Sequence, residues 1–264
     1  MSATPVSEPA RALATYEATA PFYDGLTAHH DYELWLGNLL PLLYAHGLKQ
    51  GRLLDVACGT GKSFMPMLAR NWEVVGVDAS PGMLEVARAK VGDRAHLETA
   101  DMRFLPELGR FELIWCLDDA INCLDSTQEV IAAFKGFARN LAPHGLCLFD
   151  LNTLLTYRGF FAGEETVELA DGTVLHWLGQ TDPKATSGVL ASAVLEARDG
   201  SGRLVASTTH AQRHFEVREL ERLMPAAGLE VVAIRGHAHD AILEPLDEAR
   251  HTKAILVVRC RGGR

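Results

Sequence analysis

A chain of 264 residues, 48% hydrophobic and 22% charged, has the apolar content to build one large α/β domain, or a domain with an insertion. Its formal net charge of −9, with one dense basic cluster at Arg259, Arg261 and Arg264, disfavours nucleic acid, whose binding rests on Lys and Arg neutralising phosphates. Five scattered cysteines without C-x-x-C spacing, no recognisable secretory leader, and no apolar run near the roughly 18 residues of a membrane span point to a cytoplasmic, membrane-free protein with reduced thiols.

In chain order, residues 9–26 and 31–46 read as helices, the second rich in leucine and followed by a stop signal at Gly47. From residue 52, short apolar strands at 52–57, 73–77, 95–99, 112–117 and 145–150 alternate with helices at 61–70, 80–91 and 126–141. Parallel strands need crossover connections, so this alternation predicts an α/β fold: a Rossmann-like, doubly wound, mostly parallel sheet with helices on both faces. Ser80-Pro81 supplies a helix cap followed by proline at the first helical position, and Ser126-x-x-Glu129 is a capping box. Residues 164–215 break the rhythm with strand-like stretches around Asp171-Gly172 and Asp199-Gly200, dipeptides suited to antiparallel hairpins. They read as an inserted antiparallel β lid. A helix at 216–227 and strands at 229–236 and 254–260 then complete the main sheet. The expected organisation is a single domain over 1–264, with an N-terminal helical cap at 1–50 and the lid at 164–215.

Residues 53–63, LLDVACGTGKS, hold the main functional signal. A phosphate-binding loop ending in Gly61-Lys62-Ser63 needs its first glycine at position 56, where this chain has Val56. A dinucleotide turn needs a third glycine, where Phe64 stands. The next strand ends in Asp78, seventeen residues after Gly61, where a carboxylate can accept hydrogen bonds from both ribose hydroxyls of a nucleoside. The following strand ends in TADMRFLP, which places Asp101 within reach of an adenine amino group, with Met102 and Leu105 as apolar neighbours.

LLDVACGTGKS, VVGVDAS-PGML, ADM and FELIWCLDDAINCL together resemble the successive motifs of class I S-adenosyl-L-methionine-dependent methyltransferases over about residues 50–153. Within that superfamily the chain is similar to the small-molecule branch that includes glycine N-methyltransferase and aminosugar N,N-dimethyltransferases, which also carry an N-terminal Tyr-Asp and an antiparallel lid. The resemblance implies that Ala57 and Gly59 touch the methionine part of the cofactor, and that Asp78 holds the ribose. Ala79 and Met83 would flank the adenine, with Asp101 and Met102 at the base and Cys116 and Leu117 along the cofactor. Asn122 is the expected site residue of the loop after the fourth strand. Tyr23 reads either as a cap over the sulfonium or as a packing aromatic, and Trp35 either packs its helix or reaches the cofactor. Relatives often bind the cofactor carboxylate with an arginine near the N-terminal helices. Residues 24–48 here contain no Arg or Lys, so His29, His30 or backbone groups would substitute, while Lys62 and Ser63 begin the next helix as bystanders.

Methyl transfer from a sulfonium is an in-line displacement, in which the protein aligns the nucleophile and excludes water. In THAQRH, strand alternation puts His210, Gln212 and His214 on one face, offering either a base above the cofactor or a solvated polar face. Asn152, just past the fifth strand, is a further candidate for acceptor contact, and Arg158 and Arg213 would suit an acidic acceptor. His237, His239 and Asp240 are close in sequence but lack the further spaced ligands of a metal site, so no metal is expected. The expected activity is methylation of a small molecule, at nitrogen rather than oxygen. Two alternatives stay open: a cofactor-binding protein without methyl transfer, and cyclisation of the cofactor's aminobutyrate chain. The oligomeric state, monomer or homodimer, is undetermined at this point.

Overall fold

The computed structural model describes residues 9–238 and 241–262. In chain order the elements are α1 (Pro9–Leu26), α2 (Tyr32–Ala45), β1 (Arg52–Val56), α3 (Met65–Ala69), β2 (Glu73–Asp78), α4 (Pro81–Val91), β3 (His96–Thr99) and β4 (Phe111–Cys116). They continue with α5 (Thr127–Asn140), β5 (Leu141–Asn152), α6 (Leu154–Gly159), β6 (Glu164–Glu168), β7 (Val174–Gly179), β8 (Leu190–Arg198) and β9 (Leu204–Arg213). The chain then forms α7 (Val217–Leu223), β10 (Leu229–Ala238), β11 (Ala241–Leu243) and β12 (Lys253–Cys260).

Eight strands form one sheet in the order β11-β10-β12-β5-β4-β1-β2-β3. The five from β5 to β3 run parallel, whereas β12, β10 and β11 join antiparallel. Period-two alternation divides their side chains between two cores. Leu54, Ile114, Cys116, Cys147 and Phe149 face α5 and α7, where Phe134, Phe137 and Leu220 are buried. Leu53, Leu113, Trp115, Leu146 and Leu148 face the other way, onto Leu36, Leu39 and Leu43 of α2 and Leu84 of α4. Strands β6 to β9 form a separate four-stranded antiparallel meander with its own core around Tyr157, Phe161, Leu175 and Trp177. Among the described residues, no helix is long and apolar enough to cross a membrane.

The helix starts follow local chemistry. Ser80 Oγ accepts from Met83 N–H at 3.1 Å ahead of Pro81. Ser126 Oγ accepts from Glu129 N–H at 3.3 Å, and the Glu129 carboxylate accepts in return from Asp125 N–H at 2.8 Å, completing the box one residue further out.

Four boundaries differ from expectation. The helix expected over 61–70 is only Met65–Ala69, because Gly59 and Gly61 take φ of 52° and 84° and hold residues 57–64 in a turn. A Cβ at Gly61 would meet the Phe64 ring at 2.7 Å, so this bend admits only glycine. Strand β5 begins at Leu141, directly after α5, rather than at 145. The hairpin at 199 bends with positive φ at Gly202 rather than Gly200, since Asp199 Oδ1 accepts from the N–H groups of Ser201 and Arg203 and defines a longer turn. Strand β11 has three residues, too few to carry a readable period.

The aromatic cluster of Phe134, Phe137 and Phe149 fastens α5 to the sheet, with Phe134 and Phe149 ring centres 5.0 Å apart. Phe134→Ala is expected to cost about 3–5 kcal/mol in urea denaturation. A loss below about 1 kcal/mol would show that this contact does not hold the helix.

Candidate active site

The strand order reverses between β1 and β4, where neighbouring crossovers depart to opposite faces and leave a crevice at the carboxyl ends of the strands. A cavity of about 280 Å³ occupies that crevice, floored by the turn after β1 and walled by the ends of β2, β3 and β4. Its floor is braced by Asp78. One carboxylate oxygen accepts from Gly59 N–H and the other from Ser80 N–H, both at 2.8 Å. Burial pushes the Asp78 carboxyl above its ordinary pKa, with these backbone donors working against the shift. A Cβ at Gly59 would meet only Tyr23 Cε1, at 3.9 Å, so this face of the turn is open to the cavity and a side chain would begin to fill it. Beneath the floor, fully buried Asp55 accepts from Ser63 Oγ, and burial pushes its carboxyl up to about 7.

Helix α1 closes the cavity from above. Tyr16 and Tyr23, seven residues apart, present one helical face to it. Glu17 carries the closure to α4, its carboxylate accepting from Ser80 Oγ at 2.5 Å and Gly82 N–H at 2.9 Å. Asp24 accepts from Thr60 Oγ1 at 2.5 Å and from Lys90 Nζ at 2.6 Å. Burial raises the pKa of Tyr16 and Tyr23 well above the usual phenol value, so both hydroxyls stay protonated.

Tyr23, Ala57, Gly59, Asp78 and Ala79 line this cavity, as do Met83, Asp101, Met102 and Leu117. Asp101 arrives with both oxygens engaged: Arg103 donates through its backbone N–H at 2.9 Å and Nε at 3.0 and 3.1 Å. The other six candidates lie elsewhere. Cys116 points into the α5 core and is fully buried, because its position on β4 has the opposite parity to the cavity-facing one. Trp35 packs beside Tyr32 and His237, at ring distances of 6.2 and 5.9 Å. Asn122 and Asn152 are structural pins: Asn122 donates to the Arg213 carbonyl at 2.8 Å and accepts from Asn152 N–H at 3.0 Å. The Asn152 side chain is in turn committed to Gln212 Oε1, at 2.9 Å. His214 Nδ1 accepts from Gly188 N–H at 3.3 Å, away from the cavity. His210 lies in a small annex that shares Ala12, Tyr16, Cys123 and Asp125 with the main cavity. Of the metal candidate, His239 and Asp240 lie outside the described residues.

Sequence reasoning missed Lys62, Arg103, Tyr16 and Tyr32, all on the cavity wall. The seven-residue spacing from Tyr16 to Tyr23 was a readable signal. The direction of Lys62 was not, since it depends on the left-handed turn at Gly61. Also missed was the polar knot behind β4. Largely buried Lys253 donates to Asp150 Oδ2 at 2.7 Å and to Asp119, and stands 4.0 Å from Asp118. Asp119 also accepts from Gln212 and Asp118 from the Tyr32 hydroxyl. Burial alone would discharge these groups. The three carboxylates instead raise the Lys253 pKa, and His30, Lys253 and Tyr32 hold Asp118 below the usual carboxylate range.

The site therefore joins an open glycine turn to a carboxylate at the second strand end and apolar Met83 and Met102, which fits the ribose and base of an adenosine cofactor better than a triphosphate. Comparison with known proteins agrees. Residues 53–145 match the family described as methyltransferase domain. A Bacillus subtilis (strain 168) protein with the provisional methyltransferase name YqeM is 28% identical over 219 residues, covering 82% of this chain and 87% of that protein. The dTDP-3-amino-3,6-dideoxy-α-D-glucopyranose N,N-dimethyltransferase of Streptomyces fradiae is 29% identical over 211 residues, 78% of this chain and 80% of its own. In fold, the chain matches the crystal structure of an S-adenosylmethionine-dependent methyltransferase from Clostridium acetobutylicum ATCC 824 with a TM-score of 0.75 at 20% identity, covering 94% of this chain and 99% of the other. The family match spans the strand ends that build the turn and the cavity: residues 53–145 match a methyltransferase domain, and over most of its length the chain is similar to methyltransferases in sequence and to an S-adenosylmethionine-dependent methyltransferase in fold.

Proposed function

We propose that this enzyme methylates a nitrogen atom of a small, amine-bearing acceptor in the cytoplasm. The observation that carries the reading is the state of His210, the histidine of the annex that adjoins the cavity. Burial pushes its pKa down to about 4, and its Nε2 lies 3.4 Å from Thr19 Oγ1 and 3.3 Å from Thr208 Oγ1. A neutral, weakly basic imidazole of this kind is poorly suited to deprotonating a hydroxyl acceptor. An amine needs only to shed its extra proton to solvent before it attacks. Asp125, which lines both cavity and annex, adds negative charge where a cationic amine would approach. The aminosugar N,N-dimethyltransferase relative supports nitrogen as the target. All five cysteines are free thiols, which suits a reducing cytoplasm.

When bound, S-adenosylmethionine supplies an electrophilic methyl group on a positively charged sulfur. The chain's part is placement. Asp78 would accept from the ribose hydroxyls, Ala57 and Gly59 would meet the methionine portion, and Met83, Ala79, Asp101, Met102 and Leu117 would enclose the base and the sulfonium side of the adenosine. Tyr23, with Tyr16, would close the methyl-transfer end against water and orient the acceptor, while His210 would accept or donate a single hydrogen bond from the annex.

Asp78→Ala is expected to weaken S-adenosylmethionine binding by roughly tenfold to a hundredfold in calorimetry, the effect of losing hydrogen bonds to a charged acceptor. Unchanged affinity would contradict the ribose role. With methyl-labelled cofactor, panels of small amines and matched alcohols should give labelled amine and S-adenosylhomocysteine; turnover confined to alcohols would overturn the nitrogen assignment. The pH profile follows from His210: with its pKa near 4 the ring is neutral throughout pH 6 to 9, so it contributes no inflection there. The rate at low acceptor concentration should rise with pH and level off at the acceptor amine's own pKa. The midpoint should move when an amine of different basicity is used, and a midpoint independent of the amine would point to an enzyme base instead.

A further inference from the structure

Residues 24–48 hold no Arg or Lys, so this segment provides no strong cation for the carboxylate at the amino-acid end of the cofactor. Another element fills that place. Lys62 follows Gly61, whose φ of 84° turns the chain so that the lysine leaves the floor and runs up the cavity wall to the end of α1. Its Nζ donates to the Thr27 carbonyl at 2.5 Å and the Thr27 hydroxyl at 2.9 Å, and lies 5.6 Å from the centre of the Tyr32 ring.

Among the described residues two cations line the cavity, and their surroundings differ. Arg103 is neutralised by Asp101 and by Glu129, the latter at 3.0 Å. Among the described residues, Lys62 makes no ion pair; its partners are neutral oxygens and an aromatic face. Burial lowers its pKa, the direction expected of an ammonium that has lost water without gaining a full counter-charge. A carboxylate delivered by a ligand would supply that charge in a setting drier than the surface, where charge-assisted hydrogen bonds are stronger. The far side of Tyr32 has the opposite sign, since its hydroxyl donates to Asp118, another cavity residue held ionised by its neighbours. An ammonium-binding and a carboxylate-binding group thus flank one tyrosine, in the pattern that complements an α-amino-acid zwitterion.

We propose that Lys62 binds the carboxylate of the methionine portion of S-adenosylmethionine, with Asp118 facing the α-ammonium. Lys62 is then a cofactor-positioning residue supplied by the glycine turn itself, in place of a cation from the N-terminal helices. The assignment rests on the family's cofactor and is independent of whether the acceptor is an amine.

Calorimetric binding to the full chain tests it with two ligands that share adenosine and thioether. S-adenosylhomocysteine carries the amino-acid end and methylthioadenosine lacks it. Lys62→Met should weaken S-adenosylhomocysteine by at least about tenfold and leave methylthioadenosine within about twofold. Lys62→Arg, which keeps the charge, should recover most of the lost affinity. Equal weakening of both ligands would mean that Lys62 merely supports the turn, and unchanged S-adenosylhomocysteine binding would mean that it makes no contact; either result overturns the proposal. Failure of the unmutated protein to bind either ligand would overturn the cofactor reading itself, and this assignment with it.

Discussion

One largely buried ammonium ties the functional end of the molecule together. Lys253 on β12 holds Asp150 on β5 and Asp119 just after β4, with Asp118 at 4.0 Å. Through Asp119 the link passes to Gln212 on β9, and from Gln212 Oε1 to Asn152 at 2.9 Å and the Tyr157 hydroxyl at 3.3 Å. The parallel half of the sheet, its antiparallel half and the separate meander therefore meet in one polar network. Such a network is rigid only when its charges are matched, since removing one partner of a buried ion pair costs about 3–5 kcal/mol. Burial pushes the Asp150 carboxyl up, against the pull of Lys253.

The same network sets the backbone at the cavity wall. Asp118 and Asp119 both adopt left-handed φ, 57° and 53°, conformations that cost about 1–3 kcal/mol unless their surroundings enforce them. Asp150 accepts from Asp119 N–H at 2.9 Å while Lys253 holds the Asp119 carboxylate, so the strained turn is secured from two directions. It delivers Asp118 to the cavity and lets Asn122 pin β5 to the end of β9. On the opposite wall, Asp78 performs the matching task for the turn after β1. The cavity thus lies between two carboxylate-braced turns, with α1 fastened by Asp24 to the turn after β1 and by Glu17 to the start of α4. Helix α1 is held by apolar contacts as well, with Phe22 and Leu26 packed against the meander core.

Much of this was legible in the residues. The alternation from 52 to 150 reported the parallel sheet, because β1, β2, β4 and β5 are buried on both faces as apolar runs while the amphipathic helices bury one. The place of Asp78 at the cavity was legible as well, since it depends on being last in a strand, a position that sequence defines well. The pieces that were not legible depend on direction rather than spacing. Lys62 read as the start of a helix because its true course needs two left-handed glycines beneath it. Asn122 and Asn152 read as site residues because polar groups at strand ends commonly face ligands, and here each is consumed by a backbone or side-chain partner from the meander more than 50 residues away. The inward face of His210, Gln212 and His214 followed from strand parity, but whether it met solvent or protein depended on how the meander docks.

What unites these observations is the proposed placement of S-adenosylmethionine in the cavity, with the adenosine over Asp78 and the reactive end beneath Tyr16 and Tyr23. A crystal structure of the protein with S-adenosylhomocysteine tests this most directly. The account predicts both ribose hydroxyls within hydrogen-bonding distance of the Asp78 carboxylate, the base between Met83 and Met102, and the sulfur facing the annex beside His210. A ligand bound elsewhere, or an adenosine turned so that its ribose faces away from Asp78, would contradict it.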